Sequence, residues 1–135
     1  MTCANRSDEE KAAVPARESE TSVLMLQDDA RTMEALRRAL TRAGIPVDVV
    51  TDLDQARSTF FGAGGHGCLV VAPGVRPKLA RQVAASLGAV DPALGMASFG
   101  PDLPDARISR SARLAGYHPS SRAGQGALLR FLRTL

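Results

Sequence analysis

The chain has 135 residues, 44% of them hydrophobic and 23% charged, a one-domain length with enough apolar content to bury a core. Trp is absent and Tyr occurs once, so the core must be aliphatic and the stacking platforms that grip single-stranded nucleic acid are scarce. The formal net charge of +3, two lone cysteines and two separated histidines exclude a disulfide framework and a sequence-legible metal site, and no apolar run reaches a membrane span.

Residues 1 to 21 are polar, mixed in charge and without apolar periodicity, which predicts a disordered tail; the folded domain is expected over 22–135. The tail has no basic segment followed by an apolar one, so the expected compartment is the cytoplasm. Val23 to Leu26 is a short apolar run that leads straight into Gln27, Asp28 and Asp29. A helical pattern starts at once afterwards, so the run reads as a strand covered on both faces, as in a parallel sheet. In such sheets ligands collect outside the carboxyl ends of the strands, where Gln27, Asp28 and Asp29 fall.

Asp29 suits the N-cap of a helix whose apolar residues Met33, Leu36, Leu40 and Ala43 recur at helical spacing, with Gly44 at C′. Pro46 to Val50 reads as a second strand, and Thr51 to Asp54 as a capping signature before a helix with Leu53, Ala56 and Phe60 on its stripe, ended by Gly62. Cys68 to Val71 is a third strand, and Cys68 reads as a small core residue. Pro77 opens a helix with Leu79, Val83 and Leu87 on one face. Leu94 to Phe99 is expected as a fourth strand, Asp105 to about Ala115 as a helix, Gly116 to His118 as the remnant of a fifth strand, and Ala123 to Leu135 as the last helix. Five βα units with right-handed crossovers give one doubly wound α/β sheet.

Two motifs carry less than their letters suggest. Gly62-Ala63-Gly64-Gly65-His66-Gly67 has the glycine spacing of a dinucleotide fingerprint, but it follows a helix and precedes a strand, the reverse of what a pyrophosphate needs. A helix C-cap and flexible connection, His66 included, is the expectation. His118-Pro119-Ser120-Ser121 is too local for a triad whose parts converge from separate segments, and the chain has no nucleophile elbow.

Leu-Gln-Asp-Asp-Ala-x-x-Met-x-x-Leu-Arg-Arg-Ala-Leu-x-x-Ala-Gly over residues 26–44 resembles the opening of the response-regulator receiver domain. The likeness extends over residues 22–135, with Cys68 to Pro73 on the family's third strand and His118-Pro119 on its Lys-Pro turn. It implies a five-stranded flavodoxin-like (βα)5 fold with strand order 2-1-3-4-5. In receivers two acids after the first strand and one after the third hold Mg²⁺, the last accepts a phosphoryl group, and a hydroxyl and a lysine sense it. Here the first acid falls on Gln27, the second on Asp28, the acceptor on Ala72, the hydroxyl on Ser98 or Phe99, and the lysine on His118. A methyl at Ala72 is neither a nucleophile nor a metal ligand, so the resemblance implies a pseudo-receiver that is no enzyme and takes no metal or other cofactor.

Its expected role is a phosphorylation-independent protein-interaction module of bacterial two-component signalling. Receivers commonly signal through the surface of their fourth helix, fifth strand and fifth helix, which would also serve a homodimer. That surface corresponds to the segment from Ala106 onward, which holds six arginines and no acid. Arg107, Arg110 and Arg113 at i, i+3, i+6, together with Tyr117, Arg130 and Arg133, would then present a basic platform to an acidic protein surface. Nucleic acid is disfavoured by the missing aromatics and by the modest +5 of the body, and no membrane partner is expected. The rival readings are a small-molecule sensor using the vacated pocket between Asp28, Ala72 and Ser98, and an atypical phosphotransfer protein with Asp28, Asp29 or Ser98 as acceptor.

Overall fold

The computed structural model describes residues 21–103 and 110–135. The expected tail, apart from Thr21, and the helix expected from Asp105, as far as Ser109, lie outside the described residues. The element order is β1 (Val23–Leu26), α1 (Ala30–Arg42), β2 (Val47–Val50), α2 (Leu53–Gly62), β3 (Cys68–Val71), α3 (Pro77–Val90), β4 (Gly95–Ser98), β5 (Ser111–Arg113) and α4 (Arg122–Leu132). All four strand pairings are parallel, in the order β2-β1-β3-β4-β5. The fold is therefore the doubly wound, flavodoxin-like α/β sheet that the alternation implied.

The three central strands β1, β3 and β4 are buried along their whole length, which is why β1 and β3 read as continuous apolar runs. Helix α1 packs beside α4, and α2 beside α3, so each pair covers the sheet with an aliphatic stripe. Met33, Leu36 and Leu40 of α1 are completely buried, and burying each such side chain contributes about 1.5–3 kcal/mol. The caps are those the sequence indicated. Asp29 accepts from Arg31 N–H at 3.0 Å and Asp52 from Gln55 N–H at 2.7 Å, while the Gln55 side chain accepts from Thr51 N–H at 3.0 Å. Gly44, with φ of 80°, ends α1 in the left-handed conformation that glycine tolerates. No helix among the described residues is long and apolar enough to cross a membrane.

Two expectations are corrected. The fifth strand is Ser111–Arg113, registered as Met96↔Ser111 to Ser98↔Arg113, where a helix reaching Ala115 was expected. Gly116 to His118 is a turn, with Tyr117 N–H donating to Leu114 O at 2.9 Å. An edge strand with exposed flanks needs no apolar run, so Ser-Ala-Arg hid it. The Gly62 to Gly67 stretch ends α2 as expected, with positive φ at Gly64 and Gly65, but His66 is not part of a loose connection. It is buried, stacked on Phe60 at a centroid distance of 5.7 Å, with Nε2 2.8 Å from Asp48 Oδ2.

Candidate functional site

Strand order places the switch point between β1 and β3, because the chain moves out from β1 to β2 and then crosses back to the other side of β1. The crevice at their carboxyl ends is where a doubly wound sheet offers a site. Gln27, Asp28, Ala72 and Ser98 all reach that edge, in the register Leu26↔Val71↔Ser98. The hydroxyl position expected at Ser98 or Phe99 resolves to Ser98, the last residue of β4.

Of the side chains at this edge, those of Ser98 and Asp29 are committed within their own loop and helix. Gln27 is buried and continues the β1 ladder by donating its N–H to Val50 O at 3.0 Å. Ala72 is completely buried, its N–H given to Leu26 O at 2.9 Å. Ser98 Oγ donates to Pro101 O at 2.5 Å and accepts from Gly100 N–H at 3.2 Å, so its hydroxyl closes its own loop. Asp29 is spent as the α1 N-cap and does not turn toward Ala72. Asp28 is exposed and is the carboxylate left at this edge by the β1 loop.

Glycines let the loops over this edge close on one another. A Cβ on Gly74 would lie 2.7 Å from Asp28 Oδ2, so the Asp28 carboxylate rests directly on the backbone after β3. A Cβ on Gly100 would lie 2.6 Å from both Cα and O of Pro73, so the loops after β3 and β4 meet backbone to backbone. A divalent cation here would need several converging oxygens. No group of three or more His, Cys, Asp or Glu side chains converges on a metal position among the described residues.

An open recess of about 280 Å³ lies toward the β4–β5 side of this edge, lined by Ser98, Gly100, Leu103, Ala112 and Arg113 among others. Of Asp28, Ala72 and Ser98, the residues of the expected ligand pocket, it takes in Ser98 but neither Asp28 nor Ala72. His118 is exposed, and its side chain is engaged within its own turn. Its Nδ1 accepts from Ser120 N–H at 3.1 Å and lies 2.5 Å from Ser120 Oγ, while its carbonyl accepts from Ser121 Oγ at 2.7 Å. Ser121 in turn caps α4 through Gly124 N–H, so His118-Pro119-Ser120-Ser121 is a capping turn.

The expected basic platform is partly dismantled. Arg107 lies outside the described residues. Arg110 and Arg113 flank and end a strand, where an odd separation sends side chains to opposite faces, so they form no helical strip. Arg110 Nη1 donates to Thr134 O at 2.8 Å, neutralising a carbonyl just past α4. Tyr117, Arg130 and Arg133 are exposed as expected. Reading the C-terminal segment alone missed the arginines of α1, which reach the same face as those of α4 only through the fold.

No family model matches the chain, and no curated protein does. Among solved structures the chain is similar to one titled the crystal structure of a putative lipoprotein from Peptoclostridium difficile 630 (fragment). The two are 16% identical, the match covers 83% of this chain and 98% of that one, and the TM-score is 0.50. At that identity the likeness speaks to the fold alone.

Proposed function

We propose that the chain is a non-catalytic pseudo-receiver, an interaction module of a two-component-like signalling system that works without phosphorylation in the cytoplasm. The single observation that carries the reading is the state of the β3 end. A fully buried methyl, Ala72, stands where the resemblance puts an acceptor oxygen, under loops packed at Gly74 and Gly100. Phosphoryl transfer to protein needs a nucleophilic oxygen and usually an anchored Mg²⁺. Asp28 keeps a carboxylate oxygen, but no group of three or more His, Cys, Asp or Glu side chains converges with it to anchor Mg²⁺ among the described residues, Asp29 is committed to its helix, and Ser98 to its loop. These features support a reading without phosphoryl transfer, in which the surface acts through its charge and the partner is an anionic one. The test is an amide NMR titration with millimolar Mg²⁺. Resonances of Gln27 to Asp29 and Ala72 to Gly74 should stay in place, and a saturable shift confined to them would refute the reading.

A further inference from the structure

Helices α1 and α4 pack side by side, and both run from the carboxyl edge of the sheet to its amino edge. For α4 this is fixed at its far end, where the Leu135 side chain lies against Gly95 at the start of β4. Their buried stripes face the sheet, so the opposite faces point outward together. On α1 that outward line holds Arg31, Arg38 and Arg42, and on α4 it holds Arg122, Arg130 and Arg133, all exposed. Packed helix axes lie about 8–10 Å apart, which makes two parallel rows of guanidinium groups.

Charge is segregated onto this layer. Including Arg37 and the capping residues Asp29 and Arg133, the two helices carry seven arginines against two carboxylates, Asp29 and Glu34, a net +5. The remaining described residues carry six cations and six carboxylates, a net charge of zero. Glu34 approaches Arg38 only at 4.0 Å, with both side chains at least half exposed, so the pair neutralises little.

We propose that the α1/α4 face binds the phosphate backbone of a nucleic-acid duplex without reading its sequence. The proposal rests on the interaction-module reading and names the partner of that module. Each exposed guanidinium can take a phosphate bidentately. A protein interface of stable size wants apolar or aromatic anchors at its core. The exposed large apolar residues are Val49, Phe61, Val90 and Tyr117, none of them on α1 or α4. The same absence leaves nothing to insert into a lipid surface, and a second copy would meet this face with like charge. Scarce aromatics argue against gripping single strands, whereas contact with duplex backbone needs none.

The test is fluorescence anisotropy of a labelled mixed-sequence DNA duplex with the full chain, across the 50–200 mM salt range in which phosphate contacts are resolved. Engaging about four to six phosphates gives a slope of log affinity against log salt of about −4 to −5. R38A/R42A and R130A/R133A should each make the slope shallower by about 2. On the same scaling each lost contact costs about eightfold at 0.1 M salt, so each double variant should bind about 60-fold more weakly. R38K/R42K should keep the slope, and K78A/R81A on α3 should bind within about twofold of wild type. Absence of binding at 50 mM salt would overturn the proposal, as would equal losses from the α3 variant. Tighter binding of polyglutamate or phosphatidylserine vesicles than of duplex, through the same arginines, would also overturn it. None of these outcomes bears on phosphoryl uptake, which tests the pseudo-receiver reading separately.

Discussion

Replacing Gly100 by Ala probes the closed carboxyl edge most locally. The added methyl would be placed 2.6 Å from both Cα and O of Pro73, well inside van der Waals contact with backbone that cannot swing away. Overpacking of this kind costs about 1–3 kcal/mol, because the loops after β3 and β4 must separate to admit it. Gly116 is the matched control: among the described residues, none beyond its chain neighbours comes within 4 Å of its Cβ position, so Gly116→Ala should be neutral or stabilise by about 0.4–1 kcal/mol through the unfolded chain. Urea unfolding of the two variants and wild type, compared by midpoint at constant m, reads the difference directly. If Gly100→Ala unfolds at the same urea concentration as Gly116→Ala, the loops do not pack as described and space for a ligand exists beneath them.

Three further outcomes follow from other parts of the fold. Among the described residues, Asp48 is the only polar partner of a buried imidazole whose Nδ1 has none there, so Asp48→Ala should destabilise by about 1–3 kcal/mol in urea unfolding. Burial pushes the Cys68 thiol well above its ordinary range, a rise partly offset by a backbone hydrogen bond at Ala97. In a Cys3→Ser variant Cys68 should therefore react with a disulfide reagent only as fast as the protein unfolds, and rapid reaction in native buffer would contradict that burial. Deleting residues 1–20, whose sequence has no apolar periodicity, should change stability by less than about 1 kcal/mol.

The fold was readable where the local signals agreed. Val23 to Leu26 and Cys68 to Val71 are apolar and short, so the strands and the helix boundary after the first could be inferred from the residues, while the strand order came from the receiver resemblance. The last strand was not readable, because Ser111 to Arg113 earns its place through backbone pairing to β4 at an exposed edge. Arg110 and Arg113 have a helical i, i+3 spacing yet flank and end a strand, which drew the sequence reading one element late. At the site, the non-acidic residues Gln27 and Ala72 at the strand ends were visible in the letters. The closure over them was not, since Gly74 and Gly100 declare freedom in sequence and reveal tight contact only in three dimensions. His66 was hidden for the same reason: its partners Asp48 and Phe60 come from separate elements. The joint basic face of α1 and α4 required knowing which helices are neighbours.

The loss of phosphoryl chemistry is the central claim, and intact-mass spectrometry after incubation with Mg²⁺ and a small acyl-phosphate donor tests it most directly. Because Ala72 is a buried methyl and the Ser98 hydroxyl is bound within its own loop, the mass should be unchanged. A gain of one phosphate that disappears in Asp28→Ala would contradict the account and make Asp28 the centre of a working phosphotransfer site.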